Sequence, residues 1–312
     1  MRGDVWLRKY VWFLVSLCVF VTCRARGAGM VAVAAEELPV GEIVEVTDGD
    51  SLTVEYAGEQ HAVCLLGIDA PETIGQAEED ENNPLAFGLD FSRDMQKAMR
   101  RHGLEARQFL RDRLPTGTRV RLDVRGRTEE HVTAKVFSEG QKRPMGMQLV
   151  AAGLARVKTG EVDFAGELDY VRAQVAAMAK GVGVWALLDD NKNSDIFFIG
   201  IYADAEGHDR ENLRQEQVMI GNIGGAGYDL SRHLIVDEAN HDYLFPRGTF
   251  LAPGDCVLVV TGMGDDEEGV MYQDRRGPVW NNEGDTVHLL DPDGAVLSRM
   301  SFHGGNDAPR KP

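Results

Sequence analysis

The stretch Val46–Glu72 (VTDGDSLTVEYAGEQHAVCLLGIDAPE) constrains this chain more than any other. Leu52–Tyr56 and Ala62–Ile68 are rich in Val, Leu, Ile and Tyr, and Ala57-Gly58-Glu59 between them has turn chemistry, so the stretch reads as a β-hairpin. A hairpin returns its two ends to the same end of a sheet. The acidic turn Asp48-Gly49-Asp50 before the first strand therefore comes to face Asp69 and Glu72 after the second. Converging carboxylates suit a hard cation such as calcium, which takes oxygen ligands. One of them can also act as general base toward an attacking water. Plain solvated turns explain the same residues, because acidic side chains belong at the surface.

At 312 residues with 43% hydrophobic side chains, the chain is long enough for two domains with real cores. The formal net charge is −17, and only eight of the 33 basic residues are Lys. An acidic surface of this kind keeps a protein soluble in high salt and works against tight nucleic-acid binding, which depends on neutralising phosphates. Residues 38–187 carry 18 basic and 24 acidic side chains, and 188–312 carry 10 and 23, so the second part is the more acidic. Cys18, Cys23, Cys64 and Cys256 have no metal or disulfide spacing. The eight histidines include no HExxH pair, and the chain lacks a GxSxG elbow and any Walker or dinucleotide fingerprint.

Residues 1–37 read as a leader. Arg8 and Lys9 precede the apolar run Val11–Val21, and Ala32, Ala34 and Ala35 precede Glu36, as at a secretory cleavage site. The run is too short to span a membrane comfortably, so the mature protein is expected to have no transmembrane helix. The expected location is exported or at the cell surface, or cytoplasmic if Met30 is the true start. After the hairpin, Ile74–Arg101 reads as a polar, acidic surface insertion that turns helical. Leu104, Phe109, Leu110 and Leu114 then mark a helix ended by Pro115.

Arg119–Arg127 alternates, with Val120, Leu122 and Val124 on one face and Arg119, Arg121, Arg125 and Arg127 on the other beside Asp123. Such a face can meet phosphates or simply lie in solvent. Thr133–Phe137 is a further strand, Met147–Ala152 a short helix, Leu154–Val157 a strand, and Leu168, Val171, Val175 and Met178 one face of a last helix. These elements predict a small β-barrel with two or three helices over 38–187.

Residues 188–195 form a polar linker, and short strands dominate 196–306 before a tail at 307–312. Strands are expected at Ile196–Tyr202, Gln217–Ile220, Leu234–Val236, Tyr243–Phe245, Cys256–Thr261, Val287–Leu290 and Ala295–Met300. Gly221–Gly227 opens no helix and reads as a loop rather than a phosphate cradle. The pattern predicts an immunoglobulin-like β-sandwich.

DGDS at 48–51 and LLGIDAPE at 65–72, joined by one hairpin, resemble the staphylococcal-nuclease (thermonuclease) family, and VAAGLARV at 150–157 and AQVAAMAKGVGVW at 173–185 extend the resemblance to Trp185. It implies a mainly β fold built on a five-stranded OB barrel with helices, and calcium-dependent hydrolysis of DNA or RNA phosphodiesters. Asp50 and Asp69 match the calcium carboxylates, Ala70 the carbonyl donor to Ca2+, and Glu72 the carboxylate that activates water. Two phosphate-clamping arginines of the family are absent. Cys64 stands at the first position, and His131 (or Thr133 in an ungapped alignment) at the second. Thr128 and Glu129 replace a nucleotide-contacting Lys and Tyr, and two more tyrosines fall near Thr159 and Glu161.

Neither a thiol nor a partly charged imidazole reproduces a guanidinium, so His131 is at best a weak catalytic replacement and activity is expected to be impaired. By strand parity Arg125 and Arg127 are candidate phosphate contacts from the adjoining turn. The alternative expectation is a catalytically degenerate cation- or nucleic-acid-binding and tethering protein.

Residues 203–213, 229–255 and 278–294 resemble a lamin tail domain, which implies a binding unit for an unidentified protein or surface partner. Arg232-His233 replaces the aromatic usual after DLS, which is expected to loosen that corner, and the acidic loop Asp265–Glu268 is expected to be a solvated turn.

Overall fold

The computed structural model describes residues 38–73, 93–128, 130–158, 164–187, 194–203, 212–281 and 284–303. The leader at 1–37, most of the 74–101 insertion, Glu129, Thr159, Glu161, linker residues 188–193 and the 307–312 tail lie outside them.

The first domain is a closed barrel of β1 (Val40–Val46), β2 (Ser51–Tyr56), β3 (Glu59–Leu65), β5 (Arg119–Arg127) and β6 (Val132–Ser138), in the order β1-β2-β3-β6-β5. The predicted hairpin is β2–β3, closed by Ala57 and Gly58, both at positive φ, as a two-residue turn matching strand twist requires. Strand β1 was not expected from the sequence. An irregularity between Ile43 and Glu45 breaks its two-residue alternation, which hides the pattern. Two short strands, β4 (Ile68–Asp69) and β7 (Arg156–Val157), pair outside the barrel.

A register shift between Val124 and Gly126 corrects the expectation of four arginines on one strand face. Arg121 and Asp123 stand opposite Phe137 and Lys135 on the outer face, but Arg127 stands opposite buried Val132. A one-residue slip moves every later side chain to the other face. Arg127 thus turns toward the barrel end, where its guanidinium donates to the Tyr56 hydroxyl.

Helix α1 (Arg93–Arg113) begins well before the expected Leu104, and Met99, Ala106, Leu110 and the following Leu114 form its buried stripe. Leu104, expected on that face, is half exposed. Helices α2 (Met145–Ala151) and α3 (Phe164–Lys180) complete the domain, and a short 3-10 turn, Gly183–Leu187, buries Trp185. Among the described residues, no helix is long and apolar enough to cross a membrane.

The second domain has two principal four-stranded sheets. One comprises β12 (Asp242–Leu244), β11 (Leu234–Val236), β16 (Gly284–Leu290) and β17 (Val296–His303). The other comprises β15 (Val270–Tyr272), β14 (Cys256–Val260), β9 (Gln217–Asn222) and β8 (Ile196–Tyr202). The short strands β10 (Tyr228–Asp229) and β13 (Phe250–Leu251) pair beside them. All seven expected strands are present, five of them within about two residues, while β16 begins three residues earlier than expected, at Gly284, and β17 runs on to His303. The short β10, β13 and β15 carry too few residues for a periodic signal.

Every residue of β9 and β14 is buried. Val257 and Val259 face the sandwich interior, whereas Cys256, Leu258 and Val260 pack with Val171 and Val175 of α3 in the core that continues into the barrel. A sheet covered on both faces loses the alternation of a half-solvated one. Polar groups clasp this junction. Buried Gln217 Nε2 donates to Glu167 Oε1 at 2.6 Å. Gln174 accepts from Val157 N at 2.6 Å through Oε1 and donates to the Ile199 carbonyl at 3.1 Å through Nε2. One side chain therefore ties a strand of each domain to α3.

At Gly221 a Cβ would stand 2.5 Å from Val175 Cγ2 and 2.9 Å from Ile199, so glycine permits this approach. Gly221→Val is expected to lower stability by roughly 1–3 kcal/mol through overpacking. A single earlier urea transition, seen by fluorescence from Trp185 in the first domain and Trp280 in the second, is the expected reading.

Candidate functional site

The two ends of the β2–β3 hairpin meet as the sequence predicts. Thr47 N and Asp48 N both donate to Ser51 O, turning the chain tightly before β2, and Leu65 N donates to Asp50 O at 2.9 Å. Asp50 Oδ1 accepts from Ser51 Oγ at 2.9 Å, and its Oδ2 accepts from Ala70 N at 3.1 Å, which joins the acidic turn to the segment after β3. Pairing of β4 with β7 sets Asp69 opposite Arg156, whose Nε donates to Asp69 Oδ2 at 2.8 Å. Helix α1 backs the site. Ala106 would contact any side chain at Gly49, and a Cβ at Gly103 would stand 2.2 Å from Pro71 O and 2.8 Å from Glu72 O.

This packing concentrates negative charge in a poorly solvated place. Burial, then repulsion by Asp69, pushes the Asp50 carboxyl up to about 6, although the Ala70 N–H and Ser51 hydroxyl pull it down. Glu72 is pushed up to about 9 by burial first, then by the hydrogen bond it shares with Asp48 and the charges of Asp48, Asp50 and Asp69. Among the described residues, no three His, Cys or acidic side chains converge into a ready metal cage. The two facts are compatible, because Coulombic repulsion acts over longer distances than ligation. The donor set remains hard and anionic, and calcium completes its coordination with backbone and water oxygens.

The remaining site residues from the sequence do not join this cluster. Cys64 sits beside it, opposite Ser51 in the β2–β3 pair and level with Thr133 in the parallel β3–β6 pair. His131 lies just before β6, its ring 3.3 Å from the Thr128 hydroxyl, in a turn that Thr128 also braces through the His131 N–H. Arg125 is paired with Asp123 at 2.9 Å. Arg127 is held by Tyr56 at the opposite end of β2 from Asp50. Among the described residues, Arg127 and His131 have no hydrogen bond or ion pair to Asp50 or Asp69.

Arg156 is the guanidinium that the structure brings to the cluster, 8% exposed and paired with Asp69, and it is not among the site residues expected from the sequence. The signal lay in an arginine within the apolar run GLARV, since a charge buried there requires a partner.

In the second domain, the acidic loop is exposed as expected, with Asp266 accepting from Tyr272 N at 2.9 Å. The Arg232-His233 corner corrects the expected looseness. His233 is buried, and its Nε2 lies 3.2 Å from the Tyr228 hydroxyl.

Two outcomes follow from this geometry. Gly103→Ala would ordinarily favour a helix, but here the methyl meets backbone. It is expected to destabilise by about 1–3 kcal/mol and to displace Glu72, readable as a lower melting temperature. Glu72 holds its proton longer in the folded chain than in the unfolded one, so the wild type loses stability relative to Glu72→Gln as pH rises. The gap is absent below the unfolded value of 4.5, opens above it and widens up to about 9. Melting curves of both proteins across that range check the sign.

Comparison with known proteins adds the family. Residues 62–187 match the family model described as staphylococcal nuclease homologue, and residues 190–304 match the lamin tail domain. No curated protein matches the chain. The chain therefore joins a domain of the staphylococcal-nuclease homologue family to a lamin tail domain.

Proposed function

We propose that the barrel is a calcium-dependent nuclease of the thermonuclease type that turns over slowly, with the lamin tail domain as its tether to a protein or surface partner. The observation that carries the reading is the carboxylate cluster. Asp50, Asp69 and Glu72 are gathered at one end of the hairpin, and Asp50 and Glu72 are held above their ordinary titration range. Asp50, Asp69 and the Ala70 carbonyl would hold Ca2+, which supplies positive charge that favours ionised carboxylates and offsets the charge of a phosphodiester. Glu72 takes a proton from the attacking water as the new O–P bond forms, and the bond to the leaving sugar oxygen breaks as that oxygen takes a proton from solvent water. With its proton retained to about pH 9 it is a poor base, and lowering that value is the condition for its role.

Slow turnover follows from what surrounds the cluster. Cys64 and His131 occupy the places of two guanidinium donors, and Arg156 is committed to Asp69. Losing a single preorganised donor to transition-state charge typically costs about a hundred- to a thousandfold. These replacements favour the second reading, a degenerate barrel that binds a cation or nucleic acid without cutting it.

Labelled single- and double-stranded DNA with calcium, at low and high salt, separates the two readings. Slow calcium-dependent cleavage is expected from the wild type. Glu72→Gln should reduce it by at least about a hundredfold, and Cys64→Arg with His131→Arg should raise it by roughly that factor or more. Cleavage indifferent to Glu72→Gln would overturn the assignment of the base, and a wild type and double-Arg variant both silent would favour the binding protein.

A further inference from the structure

A second site lies in the same domain, away from the carboxylates. A cavity of about 690 Å³ opens between β6, the turn after it, α2 and α3. That is the size of a small-molecule site, which typically occupies about 300–1,000 Å³. Its wall carries Lys135, Lys142, Arg143, Arg172 and Lys180 against a single carboxylate, Asp169. Three of the eight lysines in a chain of net charge −17 therefore converge on one cavity. Such a concentration is far from the chain average, and like charges held together without a counter-ion repel.

Neutralisation from within the protein is slight. Arg172 approaches Asp255 at 3.5 Å. Asp123, the cross-strand neighbour of Lys135, is taken by Arg125. Lys135, Lys142, Arg143 and Lys180 have no ion pair among the described residues. The rest of the wall is apolar, with Phe137, Met147 and Ala173, and Tyr170 adds a buried hydroxyl without a hydrogen-bond partner among the described residues.

We propose that this cavity binds a phosphate-bearing ligand with a flat, apolar body, of mononucleotide to dinucleotide size, with Lys135, Arg143 and Lys180 on the phosphate and Phe137 against the body. Lysine and arginine are the side chains that hold phosphate, and an aromatic ring receives a base by stacking. Choosing a nucleotide rather than another phosphorylated body rests on the nucleic-acid reading of the domain, whereas the anion site stands on the cavity alone. A free nucleotide and the end of a strand present the same chemistry to the site.

The test titrates the full chain, in EDTA so that no divalent cation contributes, with inorganic phosphate, adenosine monophosphate and a 5′-phosphorylated single-stranded tetranucleotide, read by calorimetry. The wild type is expected to bind adenosine monophosphate more tightly than phosphate. Lys135→Gln with Arg143→Gln and Lys180→Gln should weaken all probes by at least about tenfold, the loss expected from removing even one charge-assisted contact. Lys135→Arg with Lys180→Arg should retain binding. Phe137→Ala should weaken the nucleotide and leave phosphate unchanged.

Lys180→Gln alone, at an exposed helix end, carries the same comparison if the triple variant melts early. A tetranucleotide bound much more tightly than the monophosphate identifies a strand end, and equal affinities a free nucleotide. Glu72→Gln should bind as the wild type does, so loss of DNA cleavage in that variant leaves this site standing. No binding of any probe by the wild type, or equal binding by the neutralised variants, overturns the proposal.

Discussion

Helix α3 is wedged between two cores, and the rest of the architecture depends on that contact. Its Leu168, Val171 and Val175 pack on the outer face of β9 and β14, and Gly221 lets Val175 come down onto the sheet. The same helix closes the barrel domain through Gln174, which receives the Val157 N–H, and through it the β7 strand that carries Arg156. Arg156 in turn holds Asp69. The contact between the domains is thus two hydrogen bonds and one strand away from the acidic cluster. The lamin tail domain packs on the barrel domain through this helix.

The acidic cluster shows why packing and charge oppose each other in this domain. Helix α1 can seat Gly103 against the Pro71–Glu72 backbone only by drawing the carboxylates out of water. Burial and mutual repulsion then favour their protonated forms. A site arranged in this way is more stable when positive charge enters it. The basic cavity beside α3 has the opposite balance, with cations gathered in an acidic protein. The two sites have opposite sign within one small domain.

Much of this was legible from local chemistry. The Ala57-Gly58 turn and its flanking β-branched runs define the hairpin, and a hairpin brings Asp50 to Asp69 whatever else the chain does. Cys64 and His131 are visible as departures because the motifs around them are intact. Less was legible where the backbone departs from strict period. The irregularity in β1 hid a strand, and the shift at Val124/Gly126 sent Arg127 to Tyr56 although parity placed it beside Arg121. Arg156 escaped notice because its meaning depends on a partner 87 residues away.

By itself, the sequence determined the two domains, the hairpin and the identity of the acidic residues, since turn residues, periodicity and motif spacing are local properties. Tertiary structure alone decided three things: that β9 and β14 are covered on both faces, that Arg156 pairs with Asp69, and that five scattered cations share a cavity. Each of these joins residues from elements far apart in the chain. A pattern of period two or 3.6 records which face of an element is apolar, but not which other element will cover it.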